Sequence, residues 1–250
     1  MATDSHLASA FVPSPNHDAR DGDAVDILLL HYTGMASALA AQERLCDPAA
    51  KVSSHYMVDE DGTIVQMVSE TRRAWHAGIS FWQGATDINS RSIGIEIVNG
   101  GHDFDCPVFP SRQIDAVISL CRDIQSRRQI PPERVLAHSD IAPGRKRDPG
   151  EKFPWRALHQ SGVGLWVEPE PVVETAEPLD ASSALKLKAA LCDYGYRLKP
   201  DDDEATTRDV VAAFQRHFRP QRVDGVMDVS TARTLARLMA AQADMQIRSV

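Results

Sequence analysis

Val25 to Tyr32 is a short, continuous apolar run, Ile27-Leu28-Leu29-Leu30, with His31 near its end. A run of this length suits a strand buried on both faces and is too short for a helix that would bury the same residues. It fixes the kind of fold available, because such a strand needs covering elements above and below it. The sequence supplies them in alternation. Met35 to Leu45 is alanine-rich and helical, stopped by Asp47-Pro48. Ser54 to Val68 divides at Asp61-Gly62, a strong hairpin signal between β-prone halves. Ser92 to Val98 alternates isoleucine with small or polar residues, as a strand does. Ser111 to Arg128 places Ile114, Val117, Ile118, Cys121 and Ile124 at helical spacing, with Ser111 as the expected N-cap. Arg134 to Ala137 is a short strand that delivers His138. The expected class is α/β, a mixed β-sheet flanked by helices.

The ends of the chain read differently. Residues 1–23 are polar and proline-containing, and are expected to lie as an arm on the domain surface. Residues 24–165 hold the alternating elements. Residues 166–181 include the acidic, proline-rich stretch Glu168 to Pro178, expected to be an extended linker. Residues 182–250 carry three helical patterns, Ser182 to Tyr196, Ala205 to Phe218 and Ser230 to Ala241. Leu185, Leu187, Leu191, Val210, Val211, Phe214, Leu235 and Leu238 are expected to form their shared core. A unit of about sixty residues is near the lower limit for independent folding.

Bulk properties exclude several classes. The formal net charge of −8 argues against nucleic-acid binding, which needs a basic face. No apolar stretch approaches the roughly 18–20 residues that span a bilayer. The four cysteines form no Cys-x-x-Cys pair, and fit buried thiols in a reducing compartment, with a single disulfide left open. The opening residues resemble no export signal, so the expectation is a cytoplasmic protein; a trimmed chain or non-standard export would place it in the periplasm or envelope.

The chemistry concentrates in His138-Ser-Asp-Ile-Ala-Pro-Gly-Arg-Lys-Arg-Asp148-Pro-Gly150. A histidine and a carboxylate stand ten positions apart around a Pro-Gly turn and a cationic cluster. With His31, they supply the two imidazoles and one carboxylate of a catalytic zinc site that keeps a fourth position for water. The plainer alternative is that His31 and His138 merely close their strands. Glu96, between Ile95 and Ile97, is the candidate base; Gly94 two residues earlier leaves room for a ligand to approach. Lys146 is the candidate stabiliser of an oxyanion. His55, Trp75 and His76 are candidates for a substrate groove, in which Trp75 and Trp82 could stack on sugar rings. Asp140 is expected to cap or orient its loop. His6, His17, His102, His159 and His217 receive no role.

The runs Leu30-His-Tyr-Thr-Gly34, Ser54-His-Tyr-Met-Val-Asp-Glu-Asp-Gly-Thr-Ile-Val65, Trp75-His-Ala-Gly78, Ser92-Ile-Gly-Ile-Glu-Ile-Val-Asn99 and the stretch from His138 to Gly150 resemble the zinc N-acetylmuramoyl-L-alanine amidases, bacterial enzymes related to peptidoglycan recognition proteins. The resemblance covers about residues 12–160. It implies His31, His138 and Asp148 as ligands of one zinc ion, Glu96 as acid/base and Lys146 as transition-state stabiliser. It implies hydrolysis of the amide between N-acetylmuramic or anhydro-muramic acid and the L-Ala of the stem peptide, in cell-wall degradation or muropeptide recycling. Residues 182–250, through Leu-Cys-Asp-Tyr-Gly-Tyr196, Val-Ala-Ala-Phe-Gln215 and Val-Asp-Gly-Val226, resemble a three-helix peptidoglycan-binding domain. The expected partners are peptidoglycan or muropeptide fragments. The alternatives are a non-catalytic peptidoglycan recognition protein and a zinc peptidase acting on the same stem peptide.

Overall fold

The computed structural model describes residues 2–20, 22, 25–174 and 177–248. The chain runs β1 (Ala10–Phe11), β2 (His17–Ala19), β3 (Ile27–Tyr32), α1 (Ala38–Cys46), β4 (Tyr56–Val58), β5 (Ile64–Gln66), β6 (Arg72–Ala74), α2 (Ile88–Arg91) and β7 (Ser92–Ile97). It continues through α3 (Ser111–Arg127), β8 (Val135–Ala137), α4 (His138–Ile141), α5 (Trp155–Gln160), α6 (Ala181–Tyr194), α7 (Glu204–Phe218) and α8 (Val229–Arg248). Six strands form one mixed sheet in the order β1-β5-β4-β7-β3-β8, while β2 and β6 form a separate antiparallel pair. Only β4 and β5, the two halves of the Asp61-Gly62 hairpin, pair antiparallel within the large sheet.

Strand alternation decides which face carries what. Leu28, Leu30, Ile93, Ile95 and Ile97 point to one side, where they bury Val117, Leu120, Cys121 and Ile124 of α3. Ile27 and Leu29 point to the other and pack into a cluster completed by residues of α6, α7 and α8. His31 follows Ile27 and Leu29 at period two and therefore lies on that second face. The register Ile27 to Ser92, Leu29 to Gly94 and His31 to Glu96 places the three non-isoleucine positions of β7 on it too. The α3 helix begins one residue earlier than expected: Pro110 is the N-cap and makes no side-chain bond, while Ser111 is already helical.

The N-terminal segment is not an arm lying on the surface. Its strand β1 extends the large sheet beside β5, and β2 pairs with β6. The Ser14 hydroxyl donates to the Leu45 carbonyl at 2.6 Å, and the Asn16 amide donates to Asp47 and Val52 carbonyls at 2.8 Å. Polar residues do here what apolar ones do elsewhere, by satisfying buried backbone carbonyls.

The three C-terminal helices form as expected, with Asp180 and Asp203 capping α6 and α7 through bonds from Ser183 and Thr206. Their core differs in two respects. Leu185 faces solvent at 54% exposure. The remaining leucines, valines and Phe214 join Ile27, Leu29, Trp82 and Ile141 of the sheet-bearing part in one continuous cluster. Trp82, expected to offer a sugar-stacking surface, is buried at this junction between Tyr194 and Tyr196, both edge-on to it. Gly195 ends α6 with φ of 149°, and a Cβ there would meet the Trp82 ring at 2.8 Å. The proline-rich stretch has no regular structure in its described residues, yet Ser230 and Thr234 of α8 hold the Glu170 backbone at 2.7 and 3.0 Å. No disulfide is present among the described residues; Cys106 and Cys121 are buried, Cys46 half-buried and Cys192 exposed. None of the described helices is long and apolar enough to cross a membrane.

Candidate active site

Two strand ends and one loop meet at a single point. His31 comes from the end of β3. His138 begins α4 immediately after β8. Asp148 is carried back by the turn at Pro143-Gly144, and its carbonyl accepts from the Ser139 amide at 3.0 Å. The Nδ1 atoms of His31 and His138 lie 2.9 Å apart, and each is 3.0 Å from Asp148 Oδ2. All three residues are buried. Two imidazole nitrogens and one carboxylate oxygen converging on one point fit a divalent metal. Burial, with His138 alongside, pushes His31 down to about 4. Burial alone would raise Asp148, but the two imidazoles hold its carboxyl well below the usual range. His31 and Asp148 are thus kept in the forms that bind a cation.

The orientation of each imidazole is set from behind. His138 Nε2 lies 3.1 Å from the Ala77 carbonyl, which can only accept, so the proton sits on Nε2 and Nδ1 is bare. His31 Nε2 lies 3.1 Å from His76 Nδ1. His76 is therefore a partner of the candidate ligand His31 as well as part of the pocket wall. Burial, reinforced by His31 and His55, keeps His76 well below the ordinary imidazole range, hence neutral.

A pocket of about 380 Å³ opens over this point, lined among others by Tyr32, Trp75, His76, Glu96 and Lys146. Glu96 stands beside His31 across the β3–β7 pairing, on a central strand, and its Oε2 is buried without a hydrogen-bond partner. Burial first, and then the charge of Asp148, raise its carboxyl well above the ordinary value, with Lys146 pulling the other way. A carboxyl whose hold on a proton is strengthened in this way is suited to take up and return one, as a general base and acid must. Arg145, Lys146 and Arg147 all line the same pocket, so its rim is cationic although the whole chain is acidic.

Of the other sequence candidates, Trp75 lines the pocket, with its indole nitrogen donating to Asp18 at 2.7 Å. His55 does not reach it. It is fully buried behind His76, with the rings edge-on at 5.5 Å; Nδ1 accepts from the Gly94 amide and Nε2 meets the Arg72 carbonyl. Its place is to join β4, β6 and β7. The room left by Gly94 is also taken: a Cβ there would lie 2.6 Å from the His76 ring, so the glycine admits a side chain of the protein and not a ligand. Asp140 caps its loop as expected, accepting from the Ala137 amide at 2.8 Å. It also accepts from Tyr196 Oη and His217 Nδ1, both at 2.7 Å, a link with no local signal in the sequence. His102 holds Tyr32 Oη at 2.9 Å and Glu151 at 3.0 Å, again unforeseen, because these residues are distant in sequence.

A β3–β7–β8 face carrying a His-His-Asp donor set that could hold a metal ion, with an unpartnered glutamate beside it, fits a hydrolase site. Residues 21–151 match the N-acetylmuramoyl-L-alanine amidase family, and residues 181–235 match a peptidoglycan binding domain family. The N-acetylmuramoyl-L-alanine amidase AmiD of Escherichia coli is 42% identical over 227 residues, 83% of this chain and 79% of that protein. The structure of E. coli AmiD with anhydro-N-acetylmuramic acid-L-Ala-D-γ-Glu-L-Lys superposes with a TM-score of 0.77 at 38% identity, covering 88% of this chain and 91% of that one. AmpDh3 from Pseudomonas aeruginosa, in complex with anhydromuramic pentapeptide, gives 0.75 at 34% identity, covering 88% and 93%. The chain belongs to the N-acetylmuramoyl-L-alanine amidase family.

Proposed function

We propose that this amidase uses zinc, held by His31, His138 and Asp148, to hydrolyse the amide between the lactyl group of N-acetylmuramic or anhydro-muramic acid and the L-Ala of the stem peptide. The observation that carries the reading is the unpartnered Glu96 Oε2 at the floor of the pocket, one strand from His31. Bound there, zinc would polarise the amide carbonyl and lower the pKa of a water toward roughly 7. Glu96 takes the proton as water attacks and returns it to the departing L-Ala nitrogen, which its raised affinity for a proton equips it to do. Lys146, close enough to bear on the charge of both Glu96 and His31, faces the developing oxyanion. Arg145 and Arg147 offer the cationic rim that suits the carboxylates of a stem peptide.

The test is peptide release from an anhydro-muramoyl tripeptide and from intact sacculi, each after chelator treatment and again after zinc add-back. Zinc-restored release supports the reading. Release from the fragment alone fits recycling in the cytoplasm, and release from sacculi as well fits the envelope. Binding without release from either substrate would make this chain a recognition protein.

A further inference from the structure

His138 and His31 present the same atom to the metal position, but their backs are held differently. Behind His138 stands a main-chain carbonyl, which no substitution of a side chain removes. Behind His31 stands only another imidazole, which can donate or accept. Something further must decide which way that bond runs, because His31 Nδ1 also faces Asp148 Oδ2 at 3.0 Å and would find an acceptor there if it carried the proton.

The deciding contact lies at the base of β7. Ser92 Oγ is 2.6 Å from the Ile88 carbonyl and 3.3 Å from His76 Nε2. The carbonyl only accepts, so the single serine proton is committed to it, and Oγ must accept from His76 Nε2–H. Neutral His76 has one N–H, so its Nδ1 is an acceptor. His31 must then donate from Nε2, which leaves Nδ1 a bare lone pair aimed at the metal position. Each bond in this sequence is forced by the one before it, and the sequence begins at the carbonyl of a helix residue, Ile88.

We infer that Ser92, acting through His76, is the positioning residue that fixes the metal-binding tautomer of His31, and that Gly94 is small so that the His76 ring can lie between them. Ser92, Gly94 and Glu96 are the three successive same-face residues of β7. One strand face thus carries the anchor of the relay, the seat of its middle ring, and the base. Outer-sphere partners of this kind alter metal affinity by about 10- to 100-fold.

The inference rests on the ligand set proposed above. Its test is zinc affinity of the full chain, measured by competition with a chromogenic chelator. Ser92→Ala is expected to weaken zinc binding at least about 10-fold, because His76 is then free to turn its proton toward His31. Ser92→Thr keeps a hydroxyl and should restore most of the affinity. Gly94→Ala removes no polar group but displaces the His76 ring, and should weaken zinc binding comparably; it also stands in if Ser92→Ala does not fold. Glu96→Gln serves as the reference that loses turnover while binding zinc as the unmodified chain does. Unchanged zinc affinity in Ser92→Ala and Gly94→Ala, with the unmodified chain binding one equivalent, overturns the relay and leaves the ligand set standing. An unmodified chain that binds no zinc overturns both.

Discussion

Glu96 is placed at a cost to the fold. A carboxyl whose Oε2 is buried without a partner destabilises the protein whenever it is ionised. Its folded-state pKa lies above the ordinary value of 4.5, so the folded metal-free chain binds the proton more tightly than the unfolded one. Stability should therefore decline as pH rises from about 4.5 through the folded value. Glu96→Gln removes the titration, and is expected to flatten that decline and raise the melting temperature of the metal-free chain at neutral pH. It should also lower turnover by roughly 100- to 10,000-fold. Calorimetry of the chelated protein across pH, alongside peptide release by the zinc-loaded enzyme, checks both. A variant that is less stable than the unmodified chain at neutral pH would contradict the assignment of a strained, poised carboxyl.

At the scale of strands and helices, His55 performs the opposite service to a catalytic histidine. Burial first, and then the nearby Arg20 guanidinium, push it down to about 3 from 6.5. It stays neutral while joining three strands. A histidine with a depressed folded value contributes fully above 6.5, and its contribution is lost as pH falls toward 3, by up to about 1.4 kcal/mol per pH unit. In His55→Gln the amide can accept from Gly94 and donate to Arg72, so the strands stay joined and the titration disappears. Urea unfolding of the two chelated proteins at a series of pH values should show a shallower acid slope for the variant; identical slopes would refute the assignment. The sequence disclosed β7 and its glutamate, because alternation of isoleucine with Ser92, Gly94 and Glu96 is a local pattern. It could not disclose that His55 stands behind His76, or that Gly94 seats an imidazole. Those facts depend on β6 and the segment after it folding over β7, a through-space arrangement with no local periodicity. The His-His-Asp set was legible for a different reason: its residues sit at strand ends and turns whose chemistry is written in the neighbouring Gly and Pro.

Across the whole molecule, the decisive contact is between Asp140 and the C-terminal helices. Sequence composition separates residues 182–250 from the rest, with proline-rich chain between, and suggests a tethered module. The structure joins them through a single apolar cluster and through a buried carboxylate. Asp140 sits two residues after His138 and accepts from Tyr196, at the end of α6, and from His217 in α7. The His217 ring is stacked between Trp155 of α5 and Phe218, with centroids 3.7 Å from each. A buried carboxylate oxygen that loses its hydrogen bond costs about 1–3 kcal/mol. Tyr196→Phe keeps the ring against Trp82 and removes only the hydroxyl, so it should destabilise the protein by that amount. The continuous core predicts where the loss is felt. Trp82 lies against Tyr194 and Tyr196, and Trp155 against His217, so tryptophan fluorescence reports the junction of the two parts, while far-ultraviolet dichroism reports helices of both. If the two parts share one cooperative core, the fluorescence and dichroism midpoints coincide in the unmodified chain, and Tyr196→Phe moves both together. A fluorescence midpoint that falls below the dichroism midpoint would instead show a C-terminal unit that leaves the junction and melts first, and the Asp140 contact would then be a docking bond without bearing on the element that carries His138.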